Sequence, residues 1–172
     1  MRVAGTFYRG HDPKWAWTPL SGEGAAIHGG RWNPKGMPAL YLGSDIMGVV
    51  AEMGHGLVDR IRPLTMCSYV VDCDDVADLT TEAGRGEHGV EPAAMACPWF
   101  LIAAEGGEPP SWAIARRLIE EDHAGILVPS FAPLSRHINL VLWDWGPDLP
   151  HKVEVHDPTG QLPTNQLSWA DD

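Results

Sequence analysis

The sequence predicts an α+β fold built as a single domain, residues 1–172, and two observations support this prediction. Segments typical of short strands are mixed with three segments typical of modest helices, without the regular alternation that a doubly wound parallel sheet requires. The chain of 172 residues is also long enough to bury a hydrophobic core and short enough to form only one.

The first third of the chain is predicted to contain two short strands. A strand over 5–10 precedes a loop over 11–24, and a second strand lies over 39–42. Trp15 and Trp17 are unusual in a plain linker. They indicate that the loop packs on, or covers, another part of the molecule.

The segment over 44–58 is predicted to form a helix, with Ser44 placed to cap its N-terminus. Apolar residues recur at helical spacing on one face: Ile46, Val49, Val50, Met53 and Leu57. Glu52 is the centre of the opposite face, where Gly48 and Gly56, one turn away on either side, leave room for a ligand. The alternative is a solvated face on which glycine is merely tolerated.

The remaining elements follow from similar local patterns. Further strands are predicted over 66–72, 125–129, 137–143 and 153–156. An irregular segment over 73–92 precedes a buried apolar helix over 93–104, and Ser111 is placed to cap another helix. The tail over 158–172 is predicted to be loosely ordered.

Composition excludes several classes of partner and site. The net charge of −11 disfavours binding to nucleic acid or to an anionic membrane surface. The three cysteines, Cys67, Cys73 and Cys97, lack Cys-x-x-Cys spacing, which argues against a disulfide framework or a structural zinc site. Neither a signal-peptide pattern nor an apolar run of membrane-spanning length occurs. We therefore expect a reduced, cytoplasmic protein without a metal.

Several well-known catalytic motifs do not fit. The Gly22-Glu23-Gly24 run lacks the preceding buried strand and the later glycine of a dinucleotide fingerprint, and Lys35-Gly36 has the wrong order for a P-loop. His151 and His156 lack a His-Glu-x-x-His pattern. Ser130 is not within a Gly-x-Ser-x-Gly elbow.

The stretch over 26–52 instead has the composition of a ligand site. Gly29 and Gly30 let the backbone approach a ligand closely, and Arg31 supplies a planar cation suited to phosphate. A turn then leads to the short strand that ends near Tyr41, and the helix carrying Glu52 follows.

Five groups of residues match the pattern of a known family: Tyr8-Arg9, Gly29-Gly30-Arg31-Trp32-Asn33-Pro34, Tyr41-Leu42, Glu52 and Pro129-Ser130. In these positions the chain resembles the RES-domain family, named for its Arg, Glu and Ser. Members are toxins of bacterial toxin-antitoxin pairs, are similar in fold to ADP-ribosyltransferase toxins, and consume NAD. The resemblance implies an ADP-ribosyltransferase-like split β-sheet core with flanking helices.

The resemblance also implies roles for individual residues. Glu52 matches the catalytic glutamate, and Arg31 and Tyr41 would line the nicotinamide-ribose end of the pocket. Three groups of NAD-binding residues complete the match: the pair Tyr8 and Arg9, Ser130, and Asn139.

These roles agree with the chemistry of the glycosidic bond. Its cleavage passes through an oxocarbenium-like state, which a carboxylate such as Glu52 stabilises. Arg9 or Arg31 can bind the diphosphate, and Tyr8 or Tyr41 can stack on nicotinamide. The structural alternatives are that Tyr41 belongs to the core, Arg31 pairs with a carboxylate and Ser130 only ends a strand.

Three functions follow, in order of preference. The first is an NAD-consuming toxin that transfers ADP-ribose to a host protein, for example one of nucleotide metabolism, and is silenced by an antitoxin that blocks the cleft. The second is degradation of NAD by water or phosphate. The third is a non-catalytic binding module. The loop over 11–24 and the segment over 84–92 are candidate acceptor-docking surfaces for transfer.

Overall fold

The computed structural model describes residues 1–53, 63–131 and 137–167, and only the backbone of residues 51–53. The described strands form one seven-stranded sheet in the order β4-β5-β6-β2-β1-β3-β7. Their bounds are β1 Val3–His11, β2 Leu40–Gly43, β3 Thr65–Cys73, β4 Val76–Asp78, β5 Gly125–Pro129, β6 Ile138–Leu142 and β7 His151–Val155. The pairs are antiparallel apart from β4 with β5, so the predicted α+β class is confirmed.

The sheet is nearly divided between β1 and β2. All nine residues of β1 pair with β3, whereas β1 and β2 share one pair, Tyr8 with Gly43. Beyond that pair, Arg9 and Gly10 lie across an opening from Tyr41 and the rest of β2. The split expected in the sheet is therefore a local opening within one continuous seven-stranded sheet.

Six short helices are seen in the described ranges: α1 Glu23–His28, α2 Ile46–Met53, α3 Glu82–Glu87, α4 Pro92–Met95, α5 Trp99–Ala104 and α6 Pro110–Glu120. A turn of 3-10 helix covers Pro13–Trp15. Across these ranges, no helix combines the length and apolar composition that a membrane crossing requires.

Two hydrophobic clusters pack on the two faces of the sheet, as strand alternation dictates. In β6, Leu140 and Leu142 belong to one cluster and Val141 to the other. The first cluster is completed by residues of β1, β3 and β7, and the second by Trp32 and residues of α6 such as Leu118. Segments near both ends of the chain also pack against the first cluster, through the partly buried Leu20 and Leu162.

Helix α2 differs from its prediction at the start. Asp45, not Ser44, is the cap, because its Oδ1 accepts from the Gly48 N–H at 2.7 Å, while Ser44 Oγ accepts from Ile138 N–H of β6. Ile46, predicted to face the core, is exposed. The second half of the predicted helix, including Leu57 and Gly56, lies outside the described residues.

Three later predictions were also wrong in part. The segment 73–92 contains β4 and α3 rather than irregular chain alone. The segment 93–104 forms the two short helices α4 and α5, and Phe100 is 66% exposed rather than buried. Ser111 lies inside α6, buried beside Cys97, while Pro109 occupies the cap position.

The end of the chain makes specific contacts within 158–167. Asp157 accepts from the N–H groups of Gln161 and Leu162, and Gln166 Nε2 donates to the Lys14 carbonyl at 3.1 Å. This part of the tail is therefore held against the sheet and the loop after β1. Residues 168–172 lie outside the described part.

Candidate active site

A cleft of about 210 Å³ opens where β1 and β2 separate. Its walls are Tyr8, Arg9 and Gly10 of β1, Tyr41, Leu42 and Gly43 of β2, Val49 of α2, and Asn139 of β6. Tyr8, Gly43 and Asn139 are successive partners across β1, β2 and β6. The register therefore brings together four residues predicted from the sequence, Tyr8, Arg9, Tyr41 and Asn139.

Helix α2 closes one side of this first cleft. A Cβ at Gly48 would collide with the ring of His137, so this glycine serves a close contact between α2 and the segment before β6. The sequence had indicated that Gly48 leaves open space for a ligand. In the structure, His137 occupies that space. His137 is buried, and its Nε2 donates to Asn139 Oδ1 at 3.1 Å. His137 thus holds both α2 and Asn139 in place.

Arg9 lines the first cleft. Its Nη1 donates to the carbonyls of Pro19 at 3.3 Å and Ser21 at 3.0 Å. Within 1–53, 63–131 and 137–167, neither Nε nor Nη2 has a hydrogen-bond partner and no carboxylate is within ion-pair distance. Burial lowers the pKa of Arg9 because the cation is partly removed from water. A positive charge in this environment is suited to bind an anion.

A second cleft, of about 420 Å³, adjoins the first and shares Arg9 and Gly10 with it. The end of β1, the loop after it and helix α1 provide the other wall residues: His11, Asp12, Trp15, Trp17, Thr18, Ser21, Glu23, Gly24, Ile27 and His28. The tryptophan-containing loop therefore covers part of the molecule, as its composition predicted. It forms part of the wall of the second cleft, which shares Arg9 and Gly10 with the first.

The Gly-Gly-Arg-Trp-Asn motif packs behind the first cleft. Asn33 is fully buried, and its Nδ2 donates to three carbonyls, those of Ala25, Pro34 and Met37. Its Oδ1 accepts from the Tyr41 hydroxyl at 2.7 Å, and that hydroxyl accepts from the Trp32 N–H at 3.0 Å. This network fixes the orientation of the Tyr41 ring in the cleft wall.

The sequence model of the RES domain matches residues 6–165, nearly the whole chain, and includes the cleft and the motif behind it. The chain belongs to the RES-domain family. The resemblance inferred from the sequence is thereby confirmed.

Curated relatives of this RES domain include the NAD(+) phosphorylase MbcT of Mycobacterium bovis and that of Mycobacterium tuberculosis. Each is 33% identical over 81 residues, which is 42% of this chain and 44% of the relative. The match therefore spans less than half the length of these relatives.

The fold is similar to that of a solved structure, the M. tuberculosis MbcT-MbcA toxin-antitoxin complex. The TM-score is 0.61 at 22% sequence identity, with 91% of this chain and 84% of that chain covered. This likeness establishes a shared RES-domain fold.

Arg31 of this RES domain is directed away from the first cleft. Its Nη1 donates to the carbonyls of Met95 at 2.9 Å and Cys97 at 2.7 Å, and its guanidinium carbon lies 4.5 Å from the centre of the Phe131 ring. Neither cleft includes Arg31 in its wall. These contacts connect the family motif to the α4–α5 connection.

The structure places Ser130 outside the walls of both clefts and describes only the backbone of Glu52. Ser130 follows β5, and its N–H donates to the His137 carbonyl at 2.9 Å; it is not in the wall of either cleft. The backbone of Glu52 lies in α2, the helix that contributes Val49 to the first cleft, and its side chain lies outside the described part.

One group of described residues has the donors of a metal site. Ligand atoms of His88, Glu121 and His123 lie within 4.8 Å of one another. Arg117 donates to Glu121 at 3.2 Å and to the His88 carbonyl, which places a cation beside the carboxylate. These residues are absent from the walls of both clefts.

Sequence reasoning missed two residues that shape the first cleft, Gly43 in its wall and His137 behind α2. The sequence patterns assigned no role to His137 or to Gly43. Their roles depend on packing against α2, because a Cβ at Gly43 would meet Val49 at 2.5 Å. The unusual glycine at position 48 was the available signal for a close helix contact.

A buried polar pair lies next to Arg9. The Tyr69 hydroxyl donates to the Pro19 carbonyl at 2.9 Å, so His11 Nε2–H is the donor in its 2.5 Å contact with that hydroxyl. Burial, followed by the charge of Arg9, lowers the pKa of His11 to about 4. Burial raises the pKa of Tyr69. Both side chains are therefore neutral at physiological pH.

We expect His11 to make folding sensitive to acid. Its ordinary pKa is 6.5, so between pH 6.5 and about 4 the unfolded chain binds a proton that the folded chain does not. The contribution of His11 to the free energy of unfolding is thus fully present above that window. It is lost as the pH falls through the window, and the total loss is about 3 kcal/mol. Denaturant unfolding at about pH 7 and about pH 4.5 measures the loss.

The matched variant is His11→Gln, which keeps an N–H donor toward Tyr69 but cannot titrate. Other groups contribute equally to the acid response of both proteins. The drop between the two pH values should therefore be smaller in His11→Gln by roughly the amount assigned to His11. Equal drops in the two proteins would contradict the assignment.

Proposed function

We propose that this RES domain is an NAD-degrading toxin that cleaves the bond between nicotinamide and ribose, with phosphate as the acceptor. The observation that carries the proposal is the position of Arg9. Arg9 lines both clefts, its guanidinium is partly buried, and no described carboxylate neutralises it. NAD consists of two nucleosides joined by a diphosphate, so Arg9 is suited to bind the diphosphate between them.

The nicotinamide and its ribose would occupy the first cleft. The Tyr8 side chain has no hydrogen bond among the described residues and lines the cleft, so its ring is available to stack on nicotinamide. The Tyr41 hydroxyl is already bonded to Asn33 and Trp32, and its ring would form a fixed wall. Asn139 offers an amide to the carboxamide or to a ribose hydroxyl. Arg31 and Ser130 would support the site from outside.

Glu52 would stabilise the reacting sugar. The bond between ribose C1 and the pyridinium nitrogen breaks, and its electron pair leaves with nicotinamide, which becomes neutral. Positive charge that develops on the ribose is stabilised by the carboxylate. A phosphate oxygen then bonds to C1, and the products are nicotinamide and ADP-ribose 1-phosphate. No other reactant is required.

The choice of phosphate over a protein acceptor rests on two considerations. Curated relatives that match part of this chain are named NAD(+) phosphorylases. The loop over 11–24, one of the two candidate surfaces for docking a protein acceptor, forms part of the wall of the second cleft. Degradation, ranked second from the sequence, is therefore preferred to ADP-ribosyl transfer.

Because a solved structure of similar fold is a toxin-antitoxin complex, we also propose that a cytoplasmic antitoxin blocks the first cleft.

The decisive measurement follows NAD labelled in its adenylate half, with and without phosphate and with and without cell lysate. We expect rapid release of nicotinamide without lysate, and labelled ADP-ribose 1-phosphate only when phosphate is present. Free ADP-ribose at the same rate without phosphate would indicate hydrolysis. Label fixed to one lysate protein would indicate transfer.

The Glu52→Gln variant tests the catalytic hypothesis against the binding module. We expect it to retain the fold, to consume NAD much more slowly and to lose growth inhibition when expressed in bacteria. Unchanged NAD consumption in this variant would contradict the role assigned to Glu52. No NAD consumption by either protein would favour the binding module.

A further inference from the structure

The second cleft has no role in the bond-breaking step, yet its position and lining are specific. It has twice the volume of the first, about 420 against 210 Å³, and shares two wall residues with it, Arg9 and Gly10. Two indole rings line it, Trp15 and Trp17, and these are 48% and 39% exposed. Large aromatic side chains at the surface of a cavity are suited to stack on a flat ligand.

The loop that carries these rings is well anchored. The Asp12 carbonyl accepts from the Trp15 N–H at 2.9 Å, and the Asp12 side chain caps the 3-10 turn. Ala16, between the two tryptophans, is fully buried. Gln166, from the far end of the chain, donates to the Lys14 carbonyl at 3.1 Å. The backbone that carries the rings is therefore held in place before any ligand arrives, which reduces the entropy lost on binding.

The sizes of the clefts argue that one ligand occupies both. Sites for drug-sized ligands usually enclose about 300 to 1,000 Å³, so the first cleft alone is too small for a dinucleotide. It can accommodate one nucleoside. With the diphosphate at Arg9, the other nucleoside would extend into the second cleft, because Arg9 lines both clefts.

We propose that the second cleft is the adenosine subsite of this RES domain, with the adenine ring stacked on Trp15 or Trp17. This inference rests on the proposed function. Stacking on aromatic side chains is a general mode of base recognition. The charges of the second cleft also favour adenosine over the diphosphate as its occupant. Asp12 and Glu23 line this cleft, and their carboxylates disfavour a phosphate group there. Their carboxylates can accept hydrogen bonds from ribose hydroxyls or from the adenine amino group.

The test compares two substrates that differ only in the adenosine half. NAD contains adenosine monophosphate joined to nicotinamide mononucleotide, so nicotinamide mononucleotide should use the first cleft alone. In Trp15→Ala and Trp17→Ala, and most in the double variant, we expect KM for NAD to rise about tenfold or more with little change in kcat. Cleavage of nicotinamide mononucleotide should be unchanged.

A matched control is Phe100→Ala, which removes an exposed aromatic ring that lines neither cleft. It should behave as the parent chain with both substrates. Thermal melting of all variants verifies the fold. An unchanged KM for NAD in the double variant, or an equal rise in KM for both substrates, would overturn the adenosine assignment while leaving NAD cleavage intact.

Binding of ADP provides a readout that does not need catalysis. ADP should quench the tryptophan fluorescence of the parent chain and bind at least tenfold more weakly to the double variant. If the parent binds ADP in this way but does not cleave NAD, the adenosine subsite is supported and the proposed function fails. If the parent cleaves NAD but ADP binds equally to both proteins, the subsite is wrong and the proposed function stands.

Discussion

Arg9→Met is expected to lower kcat/KM for NAD about 100- to 1,000-fold, because methionine fills similar space without a charge. Arg9 is a partly buried cation at the junction of the two clefts, and its Nε and Nη2 have no partners in the described ranges. The diphosphate of NAD would lose its cationic partner in this variant. Steady-state kinetics with NAD measure the effect.

Two variants help to interpret this result. Arg9→Lys keeps the charge but loses the planar fork of donors, and should fall between the parent and Arg9→Met. Arg2→Met removes an exposed arginine just before the same strand, one that pairs with Asp72, and should keep full activity. Parent-like kinetics in Arg9→Met would contradict the assignment of the diphosphate to this residue.

The loss in Arg9→Met could also come from a displaced loop, since Arg9 donates to the Pro19 and Ser21 carbonyls. Tryptophan fluorescence and thermal melting report on that loop directly. A variant that melts like the parent and has lost activity supports a role in binding. An activity that returns to the parent level at saturating NAD would further locate the loss in binding rather than in the chemical step.

Asn33→Ala is expected to have the largest effect on stability, a decrease of about 3 to 5 kcal/mol in the free energy of unfolding. The substitution leaves the carbonyls of Ala25, Pro34 and Met37, together with the Tyr41 hydroxyl, without their present partner. Asn33 is fully buried, so water cannot readily replace the lost contacts. Urea unfolding measures the change.

The matched control is Asn165→Ala, which removes an exposed asparagine and should change the free energy of unfolding by no more than about 0.5 kcal/mol. Tyr41→Phe should have an intermediate effect of about 1 to 3 kcal/mol, because it removes only the hydroxyl between Asn33 and the Trp32 N–H. A parent-like midpoint for Asn33→Ala would show that the network contributes little to stability.

Local sequence patterns predicted those parts of the fold that depend on residues adjacent in the sequence. The strand predicted over 125–129 is β5 with the same bounds, and the strand predicted over 39–42 is β2 shifted by one residue. Both are short apolar segments bounded by turns. The prediction of a single helix over 93–104 was wrong, because Pro98 interrupts the apolar pattern and separates α4 from α5.

The sequence by itself determined the family and the α+β class, because the Gly-Gly-Arg-Trp-Asn motif and the strand patterns are local features. Only the tertiary structure decided which side chains face the clefts. Arg31 binds carbonyls 64 and 66 positions away, and His137 packs on Gly48 from another part of the chain. The single pair between β1 and β2 creates the opening beside Arg9. Strand register and long-range packing set these contacts, and periodicity within one segment contains no information about either.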